Sequence, residues 1–460
     1  MDIKIREAAE AVGGTWAGTP HEEIAIGGIS TDSRSIEKDE LFFALEGERF
    51  DGHAFIKEAY EKGARHFVVS KSLNAWEENG RPANFIRVKD TLKAYGDLAK
   101  HTRAKFRIPA IAITGSSGKT TVKELVAHVL SERFQVLRNR GTENNLVGVP
   151  KTIFGLDASH EVLVLEMGTN HPGEIGRLSS IIGPQIGIVT QIGQAHLEGL
   201  KSREGVREEK LSVLNHIEWG GLLIVNGEDP MLRDAKSGVH KVLRAGFSRE
   251  NADLWAERVW CHEKGASFYV EGELFESPLL GRHNILNCLY AVAAGKALGM
   301  DLESIRRGLA SFKAVPGRLQ FRNVDGIHFL DDTYNSNPES FRASLETLRE
   351  FKIRERKGVV CGDMLELGEH SERLHRELGA LAAELLFDFI IAAGPASKTF
   401  VDEALKRGLN ATKIHHVKDS AEAGRLCREL ARAGDRVLVK GSRGMRMERV
   451  FECFITSSIR

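Results

Sequence analysis

Short apolar runs alternate with amphipathic stretches along most of the chain, which is the pattern of an α/β protein. Before residue 106, strand-like runs stand at Leu41-Phe42-Phe43-Ala44-Leu45, Phe67-Val68-Val69 and Phe85-Ile86-Arg87-Val88, with helical spacing over 91–103. These elements predict a small α/β unit over 1–105. Pro109 then opens Ala110-Ile111-Ala112-Ile113, short and wholly apolar as a buried parallel strand would be, and a long amphipathic helix is expected over 119–134. Similar runs follow at Val162-Leu163-Val164-Leu165, Ile186-Gly187-Ile188-Val189 and Leu222-Leu223-Ile224-Val225. Their spacing leaves room for crossover helices, so 106–313 is expected to form a parallel α/β domain. After Pro316-Gly317 three runs end at glycine: Val359-Val360-Cys361-Gly362, Ile390-Ile391-Ala392-Ala393-Gly394 and Val437-Leu438-Val439-Lys440-Gly441. They predict a third, Rossmann-like unit over 314–460 with its loops gathered at one sheet edge.

A length of 460 residues agrees with several cores. Lysine plus arginine equals aspartate plus glutamate at 64 each, so no bulk positive field exists to hold nucleic acid or an anionic membrane, and any anion must be gripped locally. The five cysteines (Cys261, Cys288, Cys361, Cys427, Cys453) lack the C-x-x-C spacing of a zinc or redox site and read as reduced core residues. The first residues carry no apolar leader segment and no run of 18 apolar residues occurs, so a cytoplasmic location without membrane insertion is expected.

The local anion grip stands at Thr114-Gly115-Ser116-Ser117-Gly118-Lys119-Thr120-Thr121, between an expected strand and an expected helix. Gly115 and Gly118 let the backbone curl so that its N–H groups face inward. The helix N-terminus adds partial positive charge, Lys119 reaches β- and γ-phosphates, and the Thr120 hydroxyl can ligate Mg²⁺. The usual pattern has a glycine where this chain has Ile113. Glu166 follows a buried strand directly and His196 lies just beyond another, at the carboxyl ends where ligands collect in α/β sheets. Taken alone, a strand-end Glu is usually a solvated residue and a lone His there more often structural. Lys210, in Arg207-Glu208-Glu209-Lys210, reads by itself as part of a solvated helix face.

In order along the chain, the phosphate loop is followed by Glu166-Met167-Gly168, Ala195-His196-Leu197-Glu198-Gly199, His283-Asn284-Ile285-Leu286-Asn287, Pro316-Gly317-Arg318 and Asp331-Asp332-Thr333-Tyr334-Asn335-Ser336-Asn337-Pro338. This set resembles the Mur ligase family, ATP-dependent enzymes that form amide bonds in peptidoglycan precursors. The segments 332–338 and Gly362-Asp363-Met364-Leu365-Glu366-Leu367-Gly368-Glu369 resemble the member that joins D-alanyl-D-alanine to UDP-N-acetylmuramoyl-tripeptide. The alternatives are a ligase adding the third residue or a folylpolyglutamate-type synthase; the former's Tyr-Ala-His and Asp-Asn-Pro-Arg do not occur. A nucleotide switch is a further alternative, although the Asn-Lys-x-Asp guanine motif is missing.

The resemblance implies that Gly115, Ser116, Ser117, Gly118, Lys119, Thr120 and Thr121 hold ATP phosphates, with Arg318 beside them, Asn287 at adenine and Asp332 at ribose. It implies two Mg²⁺ ions, with Thr120 and Glu166 at one and His196 and Lys210 at the other. Lys210 falls on a position that many of these ligases carry as a carbamate, although here the flank reads Lys210-Leu211-Ser212. Lys119, His196 and Lys210 are thereby the expected catalytic residues. The leading unit would bind the uridine diphosphate end through Ser33, Arg34, Asp51, Gly52 and His53. Thr142, Asn144 and Asn145 would line the path to the acceptor, and Asn335 and Asn337 would touch the dipeptide. A monomer is expected, with hinges near residues 105 and 314.

Overall fold

The computed structural model describes residues 3–17, 24–47, 50–72, 83–351 and 355–455. Three α/β layers follow one another along the chain. The first is a five-stranded sheet in the order Thr15–Ala17, Asn84–Arg87, His66–Val69, Glu40–Phe43, Gly28–Ser30; only Thr15–Ala17 runs antiparallel to its neighbour. Helix Thr91–Ala104, capped by the Asp90 carboxylate on the Lys93 amide, packs on it through Ala94, Tyr95 and Leu98.

The chain then enters a seven-stranded, wholly parallel sheet with Ala110–Thr114 between Ile186–Val189 and Val162–Glu166. The residues of these three strands are buried, because helices cover both faces; this is why they read as unbroken apolar runs and not as alternating ones. Their carboxyl ends, Thr114, Glu166 and Val189, lie side by side in register and form the edge on which ligands collect.

Two elements depart from expectation here. The helix after the phosphate loop spans Lys119–Leu130 and does not continue to 134. The Ser131 hydroxyl donates to the Ala127 carbonyl and the amides of Glu132 and Arg133 bond three residues back, which closes the helix in a tight turn while Phe134 still packs on the core. The middle region is also not purely parallel: Glu257–His262, Gly265–Val270 and Glu273–Ser277 form a separate antiparallel sheet, with Phe268 and Phe275 stacked in its buried face.

The third layer is six-stranded, in the order Gln320–Val324, Ile327–Asp332, Arg436–Lys440, Lys357–Gly362, Phe389–Ala393, Ile414–Val417. It is parallel except for the edge hairpin made by its first two strands. Asp332, Gly362, Ala393 and Lys440 end its central strands, so the loops after 332, 362 and 440 meet at one edge, and those after 332 and 440 face the phosphate loop across a cleft. Among the described residues no helix is long and apolar enough to cross a membrane.

Candidate active site

The phosphate loop adopts the conformation its glycines allow. Gly115 has φ +139° and Gly118 φ +82°; a β-carbon on Gly115 would stand 2.0 Å from Thr190 Oγ1. Helix Lys119–Leu130 begins at once, so its first amides and its positive dipole end face the loop. The loop is pinned from the neighbouring strand: the Ser116 amide donates to the Gln191 carbonyl, and the Thr190 hydroxyl donates to the Ser117 carbonyl at 2.6 Å. Lys119 Nζ donates to the Gly115 carbonyl at 2.8 Å. Burial, and after it the charge of Arg318, lower the Lys119 pKa, while Glu166 opposes the shift.

Glu166 is oriented by two asparagines. Asn139 Oδ1 accepts the Glu166 amide, and Asn144 Nδ2 donates to Glu166 Oε1 at 2.7 Å. The other oxygen, Oε2, is buried without a hydrogen-bond partner among the described residues. Asn145 Oδ1 accepts the Val147 and Gly148 amides just ahead of helix Gly148–Ile153, and Thr142 is exposed on the cleft wall. His196 holds φ +57°, a left-handed conformation that turns its ring toward the cleft. Burial, then the charges of Lys119 and Lys210, push its pKa down to about 3, so the imidazole is neutral.

Lys210 differs most from its reading in isolation. It is fully buried, not solvated, and its Nζ has no hydrogen-bond partner among the described residues. Burial, followed by the charge of Lys119, pushes its ammonium well below the usual lysine range, with Glu209, Glu174 and Glu166 opposing. A neutral amine is the form that CO₂ can carbamylate, and the resulting carboxylate is a hard oxygen donor. Among the described residues no three histidine, cysteine or carboxylate side chains form a ready cation cage. The orphaned Glu166 oxygen, the Thr120 hydroxyl, the neutral His196 ring and the unpaired Lys210 amine nevertheless fit Mg²⁺ completed by phosphate oxygens and a carbamate.

Two clefts flank the loop. The first is bordered by Ser117, Gly118, Thr121, Asn287, Arg318 and Asp332. Asn287 donates to Asn284 Oδ1, and its own Oδ1 stands 3.2 Å from where a Gly118 β-carbon would lie, so a side chain at 118, already disfavoured by φ +82°, would crowd it. Asp332 accepts from Lys440 at 2.6 Å and from the Ser344 hydroxyl at 2.7 Å. Burial raises its pKa, but Lys440 prevails and holds the carboxylate below its usual range. The second cleft, ≈ 460 Å³, is bordered by Ser116, Ser117, Gly118, Lys119 and Thr120, by Thr142, Asn144, Asn145, Glu166 and His196, and by Arg318, Asn335 and Asn337.

Not every expected residue meets there. Ser33, Arg34, Asp51, Gly52 and His53 border neither cleft. Ser33 donates to Glu58, Arg34 pairs with Asp32, and Asp51 bonds the His53 backbone and ring, with Gly52 buried between them. Lys210 and Gly115 also border neither. Asn337 caps helix Pro338–Glu350 through Ser340, and its Nδ2 donates to the Ser116 carbonyl. That places it between the phosphate loop and the third layer, in a structural contact not foreseen for it.

The sequence reading also missed Asn139, which orients Glu166, and Lys440, which fixes Asp332. The Val437–Lys440 run ending in a cation at a strand's carboxyl edge was the available signal for Lys440. A further group joins the third layer to the segment carrying His196. Glu339 Oε1 accepts from the Gln194 amide at 2.7 Å, Arg373 donates to Gln194 Oε1 at 2.8 Å, and Glu366 lies 3.5 Å from His196 Nδ1.

A phosphate loop on a parallel sheet, an acidic residue at the adjacent strand end and a Rossmann-like layer closing over both define a nucleotide-dependent ligase fold. The chain belongs to the Mur ligase family: the models of the Mur ligase middle domain, the Mur ligase glutamate ligase domain and the Mur ligase family catalytic domain match residues 113–295, 317–443 and 25–103. It is 34% identical over 458 residues to the UDP-N-acetylmuramoyl-tripeptide–D-alanyl-D-alanine ligase of Bacillus subtilis (strain 168), covering 99% of each chain. A crystal structure of MurF from Acinetobacter baumannii superposes with a TM-score of 0.89 at 33% identity, covering 99% of each chain. MurF from Thermotoga maritima, crystallised in complex with ADP, matches with a TM-score of 0.83 at 29% identity, over 93% of this chain and 97% of that one.

Proposed function

We propose that this protein is an ATP-dependent ligase that joins D-alanyl-D-alanine to UDP-N-acetylmuramoyl-tripeptide, giving the pentapeptide precursor of peptidoglycan, ADP and phosphate. The observation that carries the reading is the placement of the phosphate loop, Glu166 and His196 on one wall of a cleft whose other wall is the third layer. In this reading residues 1–105 bind the uridine diphosphate end, with Ser33, Arg34, Asp51, Gly52 and His53 as contacts. Residues 106–313 bind ATP, residues 314–460 bring in the acceptor, and the monomer works in the cytoplasm.

The carboxylate of the tripeptide attacks the γ-phosphorus of ATP, and the bond to the β–γ bridging oxygen breaks, giving an acyl phosphate and ADP. Lys119 and the amides of residues 115–121 neutralise charge on the transferring group, which is most of what a protein supplies to so loose a transition state. Arg318, whose guanidinium stacks on Tyr334 and donates to Thr120 Oγ1 at 3.4 Å, adds positive charge from the third layer. Thr120, Glu166, His196 and a carbamylated Lys210 would hold Mg²⁺, which supplies Lewis-acid stabilisation of phosphate oxygens when bound. Asn287 faces the adenine and Asp332, fixed by Lys440, the ribose hydroxyls. The neutral amine of the dipeptide then attacks the acyl carbon, phosphate leaves, and the amine proton passes to solvent or phosphate.

The first cleft is ≈ 90 Å³, below the ~300 Å³ at which small-ligand pockets begin. Nucleotide entry therefore requires the third layer to move away from the loop, hinged near residue 314. The hinge near 105 is stiffer, since Arg103 bonds the carbonyls of Phe106, Ile108 and Ile182. Closure then excludes the water that would hydrolyse the acyl phosphate.

The test is a panel of acceptors, single amino acids and dipeptides, assayed for ADP release with UDP-N-acetylmuramoyl-tripeptide and with the dipeptide precursor, and with product masses determined. Selective turnover of D-alanyl-D-alanine with the tripeptide is expected; turnover with a single amino acid on the shorter precursor would make it the third-residue ligase. Retention of labelled CO₂ on Lys210 by peptide mapping tests the carbamate.

A further inference from the structure

The acceptor has two charged ends, and the mechanism accounts only for its amine. In the ligase reading its terminal carboxylate enters the second cleft, where a cation would balance its charge. Lys119 is committed to the phosphate loop, and Arg318 borders both clefts and bonds Thr120. Arg443 borders the second cleft alone. It follows the strand Arg436–Lys440, and its backbone is built into the wall: its amide donates to Asn335 Oδ1 at 3.4 Å, and the neighbouring Ser442 hydroxyl donates to the Ser336 carbonyl while accepting the Leu365 amide. Three loops of the third layer thus fix the backbone that carries this side chain.

Two further observations point to a ligand. Ser336, 4% exposed and on the same wall, has a buried hydroxyl with no hydrogen-bond partner among the described residues. The Arg443 side chain is 65% exposed and lies 5.9 Å from the Tyr334 ring centroid; among the described residues its ion-pair partner is Glu448 at 3.2 Å, part-exposed as well. Such a surface pair is weak, so exchanging Glu448 for an incoming carboxylate costs little, whereas a guanidinium fork grips a carboxylate through two parallel bonds.

We propose that Arg443, assisted by the Ser336 hydroxyl, receives the terminal carboxylate of the dipeptide acceptor and so sets selection for an acceptor with a free carboxyl end. The proposal rests on the ligase reading above. It adds Arg443 and Ser336 to Asn335 and Asn337 as acceptor contacts, with Asn337 also bonded to its own helix and to Ser116.

The test compares D-alanyl-D-alanine with D-alanyl-D-alaninamide, equal in size and stereochemistry but without the negative charge. The wild-type protein should favour the acid in kcat/KM by about 100-fold, the range of a hydrogen-bonded contact to a charged group. Arg443→Ala should lose about that factor with the acid, mostly in KM, and under threefold with the amide; Arg443→Lys should recover part, and Ser336→Ala should lose about fivefold with the acid alone. KM for ATP and hydroxylamine trapping of the acyl phosphate should stay within twofold of wild type. Equal losses on acid and amide, or none on either, would overturn the role of Arg443. Absence of D-alanyl-D-alanine turnover by the wild-type protein would instead overturn the ligase reading itself.

Discussion

The Lys440–Asp332 pair offers the sharpest energetic test of how the third layer is built around the nucleotide. Lys440 is 1% exposed and donates to Asp332 Oδ2 at 2.6 Å and to the Asn335 carbonyl at 3.0 Å. Lys440→Met keeps most of the side-chain volume but leaves Asp332 buried, with only Ser344 and the Leu319 amide as donors. Breaking a buried pair from one side costs about 3–5 kcal/mol. At roughly 3 °C per kcal/mol for a unit of this size, the melting transition of the third layer should fall by about 10–15 °C at pH 7.5. The pH dependence carries a sign. In the wild-type protein the Asp332 pKa is lowered, so its contribution is present above the unfolded carboxylate value and is lost as pH falls through the folded one. Without Lys440, burial is no longer outweighed and the folded pKa rises above the unfolded one, so the penalty is largest at neutral pH and shrinks as acid protonates Asp332. Scanning calorimetry at pH 7.5 and pH 5 measures both, and Asp332→Asn added to Lys440→Met should recover over half of the loss. A Lys440→Met penalty independent of pH, or under 1 kcal/mol, would refute the reasoning.

Further changes test the phosphate loop and the closure contacts. Lys119→Ala should lower kcat by about 10³-fold or more while the fold is retained by circular dichroism; near-normal ADP release would remove its phosphate role. Gly115→Ala places a methyl against Thr190 at a φ of +139°, so it should cost about 2 kcal/mol and weaken ADP binding measured by calorimetry. Arg373→Ala removes the bond to Gln194 at the layer boundary and should raise the KM for ATP about threefold with little change in melting temperature. An unchanged KM would mean that this contact does not hold the closed arrangement.

Much of this was legible in the chain because buried parallel strands carry an unmistakable apolar signature. The runs at Ala110, Val162, Ile186 and Leu222 all became neighbouring strands of one sheet, and their polar or glycine ends mark the ligand edge. The antiparallel sheet over 257–277 was harder to see. Its strand Glu257–His262 is largely exposed, and its sequence shows neither a clean alternation nor an apolar run. Lys210 shows a second limit: Arg207-Glu208-Glu209-Lys210 has the composition of a solvated face, yet Glu209 turns inward to accept from the Gly173 and Ile175 amides, and Lys210 is buried with it. Such reversals depend on which distant backbone groups need partners, information that no local window contains. The contacts of Glu339 and Arg373 with Gln194 were hidden for the same reason, since each joins residues about 150 or more positions apart.

The account turns on a phosphoryl group passing from ATP to the tripeptide carboxylate before the amide bond forms. The direct measurement is the fate of oxygen in UDP-N-acetylmuramoyl-tripeptide whose reacting carboxyl carries a heavy-oxygen label, with D-alanyl-D-alanine and ATP as co-substrates. The account predicts one labelled oxygen in each released phosphate, read by mass spectrometry, and none in ADP; unlabelled phosphate alongside amide formation would contradict it.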